Sequence, residues 1–359
     1  MGLFDAEIEN TANNASDGLK KNTITDKKTN NEKKVAKKAI KEPKIKVLKD
    51  DTDNEIKFPI TEIKAFSNFT DRMLERFKNK TLHHATMIIG DYGIGKATCA
   101  YWLISQMVLS QLTDEEIKTA NLQLLQEGVH PDVFVLQAKA GENEIKVDDV
   151  RVLLDKLSLK SVYGNKFILI DDINSINANG VNALLKILEE PQDGTFFFII
   201  NHGFSRVLDT IYSRCNQEKL SLKQEQCISV LKEKQPTMNN DELSFYANIS
   251  ANSIAFAEMM MDMQLFSFDF GNIDNLKHNL NTIYKQIDDK YKNLPKIIKL
   301  SLLERIMFYA ISKINNDFVN NNDNLNNDND EFKKIVSLSN SLSKQLIDIK
   351  KYDLSIIFS

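Results

Sequence analysis

The middle of the chain alternates between short apolar runs and longer amphipathic stretches. Four runs are mostly apolar from end to end: Thr86 to Ile89, Val133 to Leu136, Phe167 to Ile170 and Phe196 to Ile200. Runs without polar alternation are typical of strands in a parallel sheet that is covered on both faces. The pattern therefore predicts an α/β domain with a layered core.

The stretches between these runs carry apolar residues at helical spacing. The clearest helix has an apolar face of Val181, Leu184, Leu185 and Leu188. Either Asn177 or Asn179 can cap it, and Pro191 ends it. The other predicted helices begin near Thr70 or Asp71, span Cys99 to Gln111 and Glu115 to Glu127, and start at Lys146.

Helical patterns alone continue after the α/β domain, which is predicted to span residues 58–215. Residues 216–262 are predicted to form a small helical lid, and residues 263–359 an all-α bundle. The tract Asn315 to Asp330 is too rich in Asn and Asp to pack, so it is predicted to be a loop between two helices.

Residues 1–57 differ in composition from the rest of the chain. They contain few aromatic residues, and between Gly18 and Lys49 twelve lysines accompany three acidic residues. Such a segment is predicted to be a disordered basic arm. The arm can associate loosely with nucleic acid by releasing counterions, or it can be a solvated tail.

Composition and charge restrict the class of protein. The 359 residues allow two or three domains, and the net charge of −4 means that any nucleic-acid contact requires a local basic patch. No apolar run reaches the roughly 18 residues of a membrane-spanning helix, and the amino terminus has no signal pattern, so we expect a cytoplasmic protein without membrane contact. Cys99, Cys215 and Cys227 are too scattered for a disulfide framework or a zinc site.

A phosphate-binding motif directly follows the first predicted strand. Gly90, Gly93, Gly95 and Lys96 belong to a stretch with the pattern G-x-x-x-x-G-K, and a predicted helix comes next. In this arrangement backbone N–H groups surround phosphates and the lysine reaches the β- and γ-phosphates. The motif predicts a P-loop; the alternative is a glycine-rich turn without a ligand.

The position after the lysine is unfavourable for hydrolysis. A P-loop normally has Ser or Thr there, whose hydroxyl binds Mg²⁺, whereas this chain has Ala97. Thr98 follows one position later, on another side of the helix. Nucleotide binding through the main chain can persist, but metal-assisted hydrolysis is predicted to be weak.

Two adjacent acids end the third predicted strand. Ligands of open parallel sheets bind at the carboxyl ends of the strands, so Asp171 and Asp172 indicate metal or water chemistry at that edge. His130 lies in a predicted loop without a nearby Cys or His partner, and we do not expect it to bind a metal.

Several segments in this order resemble the delta-prime family of bacterial DNA polymerase III clamp-loader subunits, which are AAA+ proteins. The resemblance covers about residues 58–215 and rests on HHATMIIGDYGIGKAT, HPDVFVLQ, IKVDDVRVL, the strand that ends in Asp171, NALLKILEEP and TIYSRC. NALLKILEEP and SRC are its most specific parts. Beyond Cys215 the likeness is weaker, although ISANSIAFAEMM resembles the lid helix of the family.

The resemblance implies roles for single residues. Lys96 matches the Walker A lysine, and Asp171 matches the Walker B carboxylate at the metal site. Asp172 stands where active ATPases have a glutamate that orients water, and a carboxylate displaced by about 1 Å can cost about a hundredfold in rate. Either Asn201 or His202 falls at the sensor-1 position; the spacing leaves both open.

The resemblance also makes Arg214 an arginine finger. Arg214 matches the arginine of the SRC motif, which in clamp loaders reaches the ATP site of the neighbouring subunit. A guanidinium is always charged and can neutralise a transferring phosphoryl group, and such fingers raise rates by roughly 10³- to 10⁵-fold. Arg214 is therefore expected to be catalytic in trans, and the carboxyl-terminal bundle to be an oligomerisation collar.

Three positions depart from the pattern of an active motor subunit. Ala97 lacks the hydroxyl, Asp172 replaces the glutamate, and the sensor-2 arginine position holds either Ala255 or Phe256. Residues 107–131 contain no cysteine, so the small zinc module of many relatives is not expected. The resemblance thus implies a non-catalytic subunit whose own ATPase is weak or absent and whose binding of ATP or ADP is weak or absent.

The implied complex loads the sliding clamp onto primed DNA during DNA replication. It is part of a DNA-directed DNA polymerase holoenzyme, which is a nucleotidyltransferase. The implied partners are the gamma/tau and delta subunits, the sliding clamp and primer–template DNA. The alternative is a gamma/tau-type motor subunit that hydrolyses ATP itself, which Ala97, Asp172 and the uncharged sensor-2 position disfavour.

Overall fold

An α/β domain followed by helices makes up the part of the chain that the structure describes. This computed structural model describes residues 60–321, except for 140–141, 143, 204–206 and 271–272, and also residue 337. The predicted basic arm, residues 1–57, lies outside the described residues.

The α/β domain contains five strands with helices between them. The strands are β1 (Ala85–Ile89), β2 (Val133–Gln137), β3 (Lys166–Asp171), β4 (Thr195–Asn201) and β5 (Asn216–Lys219). The helices are α1 (Ser67–Lys78), α2 (Lys96–Ser110), α3 (Glu115–Gln126), α4 (Val147–Ser158), α5 (Ala178–Glu189) and α6 (Asp209–Tyr212). Short 3₁₀ turns precede α1 and α5, at Lys64–Phe66 and Ile173–Ser175.

The five strands form one parallel sheet in the order β2-β3-β4-β1-β5. The register pairs Ile89 with Asn201 and Ile170 with Ile199, so the carboxyl ends of β1, β3 and β4 meet at one edge. The P-loop after β1 therefore lies beside the end of β4, although more than a hundred residues separate them. The α/β P-loop fold predicted from the sequence is confirmed.

Helices cover both faces of the sheet, which explains the uninterrupted apolar strands. Ile88, Leu169 and Phe198 belong to the core on the side of α1 and α2. Met87, Ile168, Ile170, Phe197 and Ile199 belong to the core on the side of α4 and α5. The helix before Pro191 is capped by Asn177, whose side chain accepts a hydrogen bond of 2.9 Å from the Gly180 N–H.

Three element boundaries differ from the predictions. Residues 216–219, expected at the start of the lid, form the edge strand β5; they are polar and alternately exposed, so no apolar run marks them. The first helix begins at Ser67 rather than at Thr70 or Asp71, and no side chain caps it.

The third difference lies at the end of the last described helix. Residues 315–321, expected to belong to a loop, continue that helix to Asn321. Asn costs only about 0.7 kcal/mol per residue in a helix. The buried apolar face of a 26-residue helix can outweigh this cost. The rest of the predicted loop lies outside the described residues.

Among the described residues, helices and no further strand follow β5. They are α7 (Gln224–Lys234), α8 (Asn240–Ile249), α9 (Ile254–Asp262), α10 (Ile273–Lys290) and α11 (Lys296–Asn321). Cys227 and Phe256 from the lid helices, together with Leu302 and Ile306 from α11, share one buried core with α1 and α2. None of the helices in the described ranges is long and apolar enough to cross a membrane.

Candidate functional site

The P-loop is held closely by two other parts of the chain. Gly93 and Gly95 have φ angles of +77° and +95°, a backbone conformation that side chains rarely adopt. A Cβ on Gly95 would lie 2.4 Å from Ile63 Cδ1, and one on Gly93 would lie 2.6 Å from Ala255 Cβ. The loop therefore needs glycine both for its turns and for the close approach of the segment before α1 and of the lid.

Lys96 is buried and bonded within the chain. Its side-chain ammonium donates to the Gly90 and Asp91 carbonyl oxygens, each at 2.7 Å, and lies 2.9 Å from His202 Nδ1. Burial lowers the pKa of Lys96 to about 8, although the carboxylates of Asp171, Asp172 and Asp91 act in the opposite direction. An ammonium has three N–H donors, and these three acceptors can use all of them.

His202 lies between Lys96 and Asp171. Its Nδ1 lies 2.9 Å from the Lys96 ammonium, and its Nε2 lies 3.6 Å from Asp171 Oδ1. The ring also lies edge-on to Tyr92 of the P-loop, with centroids 5.1 Å apart. Of the two sensor-1 candidates, His202 is the one that contacts the P-loop lysine.

Asn201 has a different set of partners. Its Oδ1 accepts from the Gly203 N–H at 2.8 Å and from Asn174 Nδ2 at 3.2 Å. Asp172 lies in the same network, because its carboxylate accepts a hydrogen bond from the Asn174 N–H at 3.1 Å. This bond caps the start of the 3₁₀ turn. Burial raises the pKa of Asp172. Both side chains thus order the connection from β3 to α5.

The lid contacts the P-loop through small residues. The Ser253 hydroxyl donates to the Tyr92 carbonyl at 2.8 Å, and the Ala255 N–H donates to the Gly93 carbonyl at 3.1 Å. Of the two sensor-2 candidates, Ala255 faces the loop, whereas Phe256 is buried with its ring near Tyr92. No positive charge comes from either position.

Arg305, which the sequence did not single out, joins three parts of the chain. It extends from α11 and donates to the Ser250 carbonyl at 2.6 Å, at the end of α8. Its guanidinium also lies 3.4 Å from the Asp91 carboxylate and 5.2 Å from the centroid of the Phe256 ring. No motif signals this residue, since its partners lie far from it in sequence.

A cavity of about 780 Å³ lies between the P-loop, the lid and the segment before α1. Its walls include Gly93, Gly95, Lys96, Ala97, Thr98, Asp171 and His202. This volume lies within the range of about 300–1,000 Å³ that is common for ligand pockets. The residues fit phosphate binding in part, because the loop and the lysine are present, but Ala97 offers no oxygen to Mg²⁺.

Arg214 lies apart from this cavity, between α6 and β5. Its two terminal nitrogens donate to the Thr210 carbonyl at 2.7 Å and to Glu189 Oε1 at 2.6 Å. The Arg214 side chain is 32% exposed and that of Glu189 49%. The structure therefore brings together the two most specific motifs, since Glu189 belongs to NALLKILEEP and Arg214 to SRC.

His130 and the three cysteines are buried in the fold. His130 is buried, bonds to Asn121 at 2.8 Å, and has its pKa lowered to about 4 by burial. Burial raises the pKa of each cysteine thiol well above its usual range. Within the described residues, no group of three or more His, Cys, Asp or Glu side chains could hold a metal ion.

Comparisons with known proteins agree with the resemblance. The family model described as "DNA polymerase III, delta subunit" matches residues 65–224. DNA polymerase III subunit delta' of Pseudomonas aeruginosa is 40% identical over 144 residues, which is 39% of this chain and 43% of that protein. Its counterpart in Escherichia coli is 32% identical over 174 residues, covering 48% and 52%.

A third relative extends the similarity beyond the α/β domain. The delta' subunit of Buchnera aphidicola (subsp. Acyrthosiphon pisum) is 26% identical over 299 residues, covering 80% of this chain and 86% of that protein. The chain spans about half the length of the first two relatives. The family match contains the whole sheet, the P-loop and the SRC motif, and with these relatives it supports the similarity of the chain to the delta-prime family of DNA polymerase III subunits.

Proposed function

We propose that this chain is a non-catalytic subunit of the DNA polymerase III clamp loader and supplies Arg214 in trans to the ATP site of a neighbouring subunit. The observation that carries the proposal is a contrast between two cations. Lys96 is buried with three acceptors of the chain around its ammonium, whereas the Arg214 side chain, paired with the exposed Glu189, is 32% exposed at the SRC position of the family. The chain thus acts during DNA replication, in the cytoplasm.

Binding of ATP or ADP by this chain is weak or absent in this proposal. A phosphate that contacts Lys96 has to replace its bonds to Gly90, Asp91 or His202. Without the hydroxyl at Ala97, Mg²⁺ is held less firmly, so hydrolysis is slower still. In a bound state His202 would take the sensor-1 role, because it lines the cavity and contacts Lys96, whereas Asn201 is held by Gly203 and Asn174.

The partners in this proposal are the gamma/tau and delta subunits, the sliding clamp and primer–template DNA. The AAA+ domain, expected over residues 58–215, also includes the edge strand β5. The helices that follow, up to about residue 262, form the lid, and α10 and α11 belong to the collar, expected over residues 263–359, that holds the subunits in a ring. The basic arm, residues 1–57, adds loose DNA contact that weakens with salt.

The proposal is tested in the complex reconstituted with the gamma/tau and delta subunits of the same organism. Arg214→Ala is expected to reduce DNA-stimulated ATP hydrolysis by about 10³-fold or more at the site that receives the finger. Arg151→Ala is a matched control, because Arg151 is an exposed arginine paired with Asp148 on α4. An unchanged rate for Arg214→Ala in an assembled complex would show that the finger assignment is wrong.

A second measurement separates this function from that of a motor subunit. The isolated chain is titrated with a fluorescent ADP or ATP analogue, and its turnover is followed without partners. We expect weak or no binding and no turnover above background. Robust hydrolysis by the isolated chain would favour the gamma/tau-type alternative.

A further inference from the structure

The finger arginine is held by an acid that the sequence did not single out. Arg214 Nη2 lies 2.6 Å from Glu189 Oε1, and Arg214 Nη1 lies 2.7 Å from the Thr210 carbonyl and 3.4 Å from the Ser213 hydroxyl. These contacts engage both terminal nitrogens of the guanidinium. The direction of its planar fork is thus set by one partner on α6 and one partner on α5.

The acid stands on a fixed support. Glu189 is the last residue of α5, whose Leu184 and Leu188 are buried against the sheet. The Leu188 carbonyl bonds to His84 Nε2 at 3.1 Å, just before β1. The end of α5 is therefore tied to the residue that precedes β1, and the Glu189 backbone has little freedom to move.

The backbone of Arg214 is also fixed by buried neighbours. Ile211 and Cys215 are buried on either side of it, and the Arg214 N–H donates to the Ile211 carbonyl at 3.1 Å. Only the long side chain of Arg214 remains to be ordered. A guanidinium that is already oriented loses less conformational entropy when it meets a phosphate, because fewer rotamers have to be frozen.

We infer that Glu189 is a positioning residue for Arg214: its carboxylate holds the guanidinium in the orientation used at the neighbouring ATP site. The inference rests on the proposed function of Arg214. Glu189 does not touch the nucleotide in this role; it acts only through the arginine. Since an exposed ion pair adds little to stability, its removal leaves the fold intact.

The inference is tested by steady-state ATP hydrolysis in the reconstituted complex. Glu189→Ala is expected to lower kcat by about three- to tenfold, a loss typical of removing one member of a coupled pair of neighbouring residues. The KM for ATP is expected to change by less than about twofold, because Glu189 does not touch the nucleotide. Glu189→Gln, which keeps an oxygen that can accept a hydrogen bond, should fall between this variant and the unaltered chain. Glu190→Ala is the control, because Glu190 is an adjacent exposed acid and its loss changes the net charge equally.

A double-mutant cycle tells a positioning role from a structural one. If Glu189 acts through Arg214, then Glu189→Ala has no further effect in an Arg214→Ala background. The inference is overturned if Glu189→Ala leaves kcat unchanged or raises it, or if it slows both backgrounds equally. If Arg214→Ala has no effect on ATP hydrolysis, the proposed function of Arg214 is wrong. If Arg214→Ala slows hydrolysis but Glu189→Ala does not, only the inference about Glu189 is wrong.

Discussion

The Lys96 ammonium lies 2.9 Å from His202 Nδ1, so the P-loop lysine is bonded to the residue that follows β4. Together with the Gly90 and Asp91 carbonyls, His202 gives the buried ammonium a full set of acceptors. A lysine in this position stabilises the junction of β1 and β4 in addition to any contact with a phosphate. Its removal should therefore be visible in the folding equilibrium of the chain alone.

The first prediction is that loss of the Lys96 ammonium lowers the free energy of unfolding of the chain. Lys96→Met keeps the unbranched chain up to the ε position but removes the ammonium, so the acceptors on Gly90, Asp91 and His202 lose their donor. Leaving a buried polar group unsatisfied costs about 1–3 kcal/mol. We expect the free energy of unfolding, measured with urea, to fall by this amount.

The matched control for this substitution is Lys118→Met. Lys118 lies on the surface of α3, where it pairs with Glu115 at 2.7 Å. A change there should stay within about 0.5 kcal/mol. Equal losses of unfolding free energy in both variants would contradict a structural role for Lys96.

The second prediction follows from the titration of Lys96. Burial lowers its pKa in the folded chain to about 8, from an ordinary value of 10.5. Below pH 8 the lysine is protonated in the folded and unfolded states, and the folded state carries the full cost of the buried charge. Between about pH 8 and 10.5 the unfolded state binds more protons, so this group makes stability rise with pH by at most about 1.4 kcal/mol per pH unit.

Other buried groups also titrate in this pH range, so the contribution of Lys96 has to be measured as the difference in stability between the unaltered chain and Lys96→Met. Burial raises the pKa of Tyr101 and of the Cys99 thiol to about 12, and as the pH rises these groups make the unfolded state more favourable. They are present in the unaltered chain and in Lys96→Met alike. The stability of the unaltered chain minus that of the variant should increase from pH 8 to pH 10; a constant difference would contradict the lowered pKa.

Motifs and apolar runs predicted the parts of the site that lie close together in sequence. The strands could be predicted because both of their faces are buried, and Lys96 and Asp171 because spacing marks them. β5 could not, since an edge strand of polar residues carries no apolar run. The bond between Lys96 and His202 depends on β1 lying next to β4, and this order follows from the packing of the whole sheet.

The third prediction compares two glycines with nearly the same backbone conformation. Gly93 and Gly203 have φ angles of +77° and +72°, so alanine is strained at either position by about 1 kcal/mol. At Gly93 the new Cβ would also lie 2.6 Å from Ala255 Cβ and from Ser253 Oγ, whereas a Cβ on Gly203 would have no described atom within 4 Å apart from Gly203 itself and its chain neighbours. Gly93→Ala should lose about 1–3 kcal/mol more unfolding free energy than Gly203→Ala, because the lid has to move.

Equilibrium unfolding of the two alanine variants measures this difference. Amide hydrogen exchange of residues 253–257 shows where it arises. Faster exchange in Gly93→Ala, but not in Gly203→Ala, is expected if the lid is displaced. Equal unfolding free energies for the two variants would mean that the contact between Gly93 and the lid contributes nothing to stability.

The fourth prediction separates the two kinds of contact that Arg305 makes. Toward the lid it donates to the Ser250 carbonyl at 2.6 Å and lies over the Phe256 ring, and toward the P-loop it pairs with Asp91 at 3.4 Å. The Asp91 side chain is 63% exposed, so the ion pair should contribute at most about 1 kcal/mol. A charge-assisted bond to a helix end together with a cation–π contact contributes about 1–3 kcal/mol.

Arg305→Lys and Asp91→Asn test this division, because each keeps nearly the size of the original side chain. Lysine retains the charge but lacks the planar fork that bonds and stacks at the same time, so Arg305→Lys should lower the free energy of unfolding by about 1–3 kcal/mol. Asp91→Asn should lower it by less than about 1 kcal/mol, and by less still in high salt. If Asp91→Asn were as destabilising as Arg305→Lys, Arg305 would stabilise the fold mainly through its ion pair with Asp91 and not through its contacts with Ser250 and Phe256. The predicted order therefore identifies the lid as the element that α11 holds in place, with the P-loop held through the lid contacts of Ser253 and Ala255.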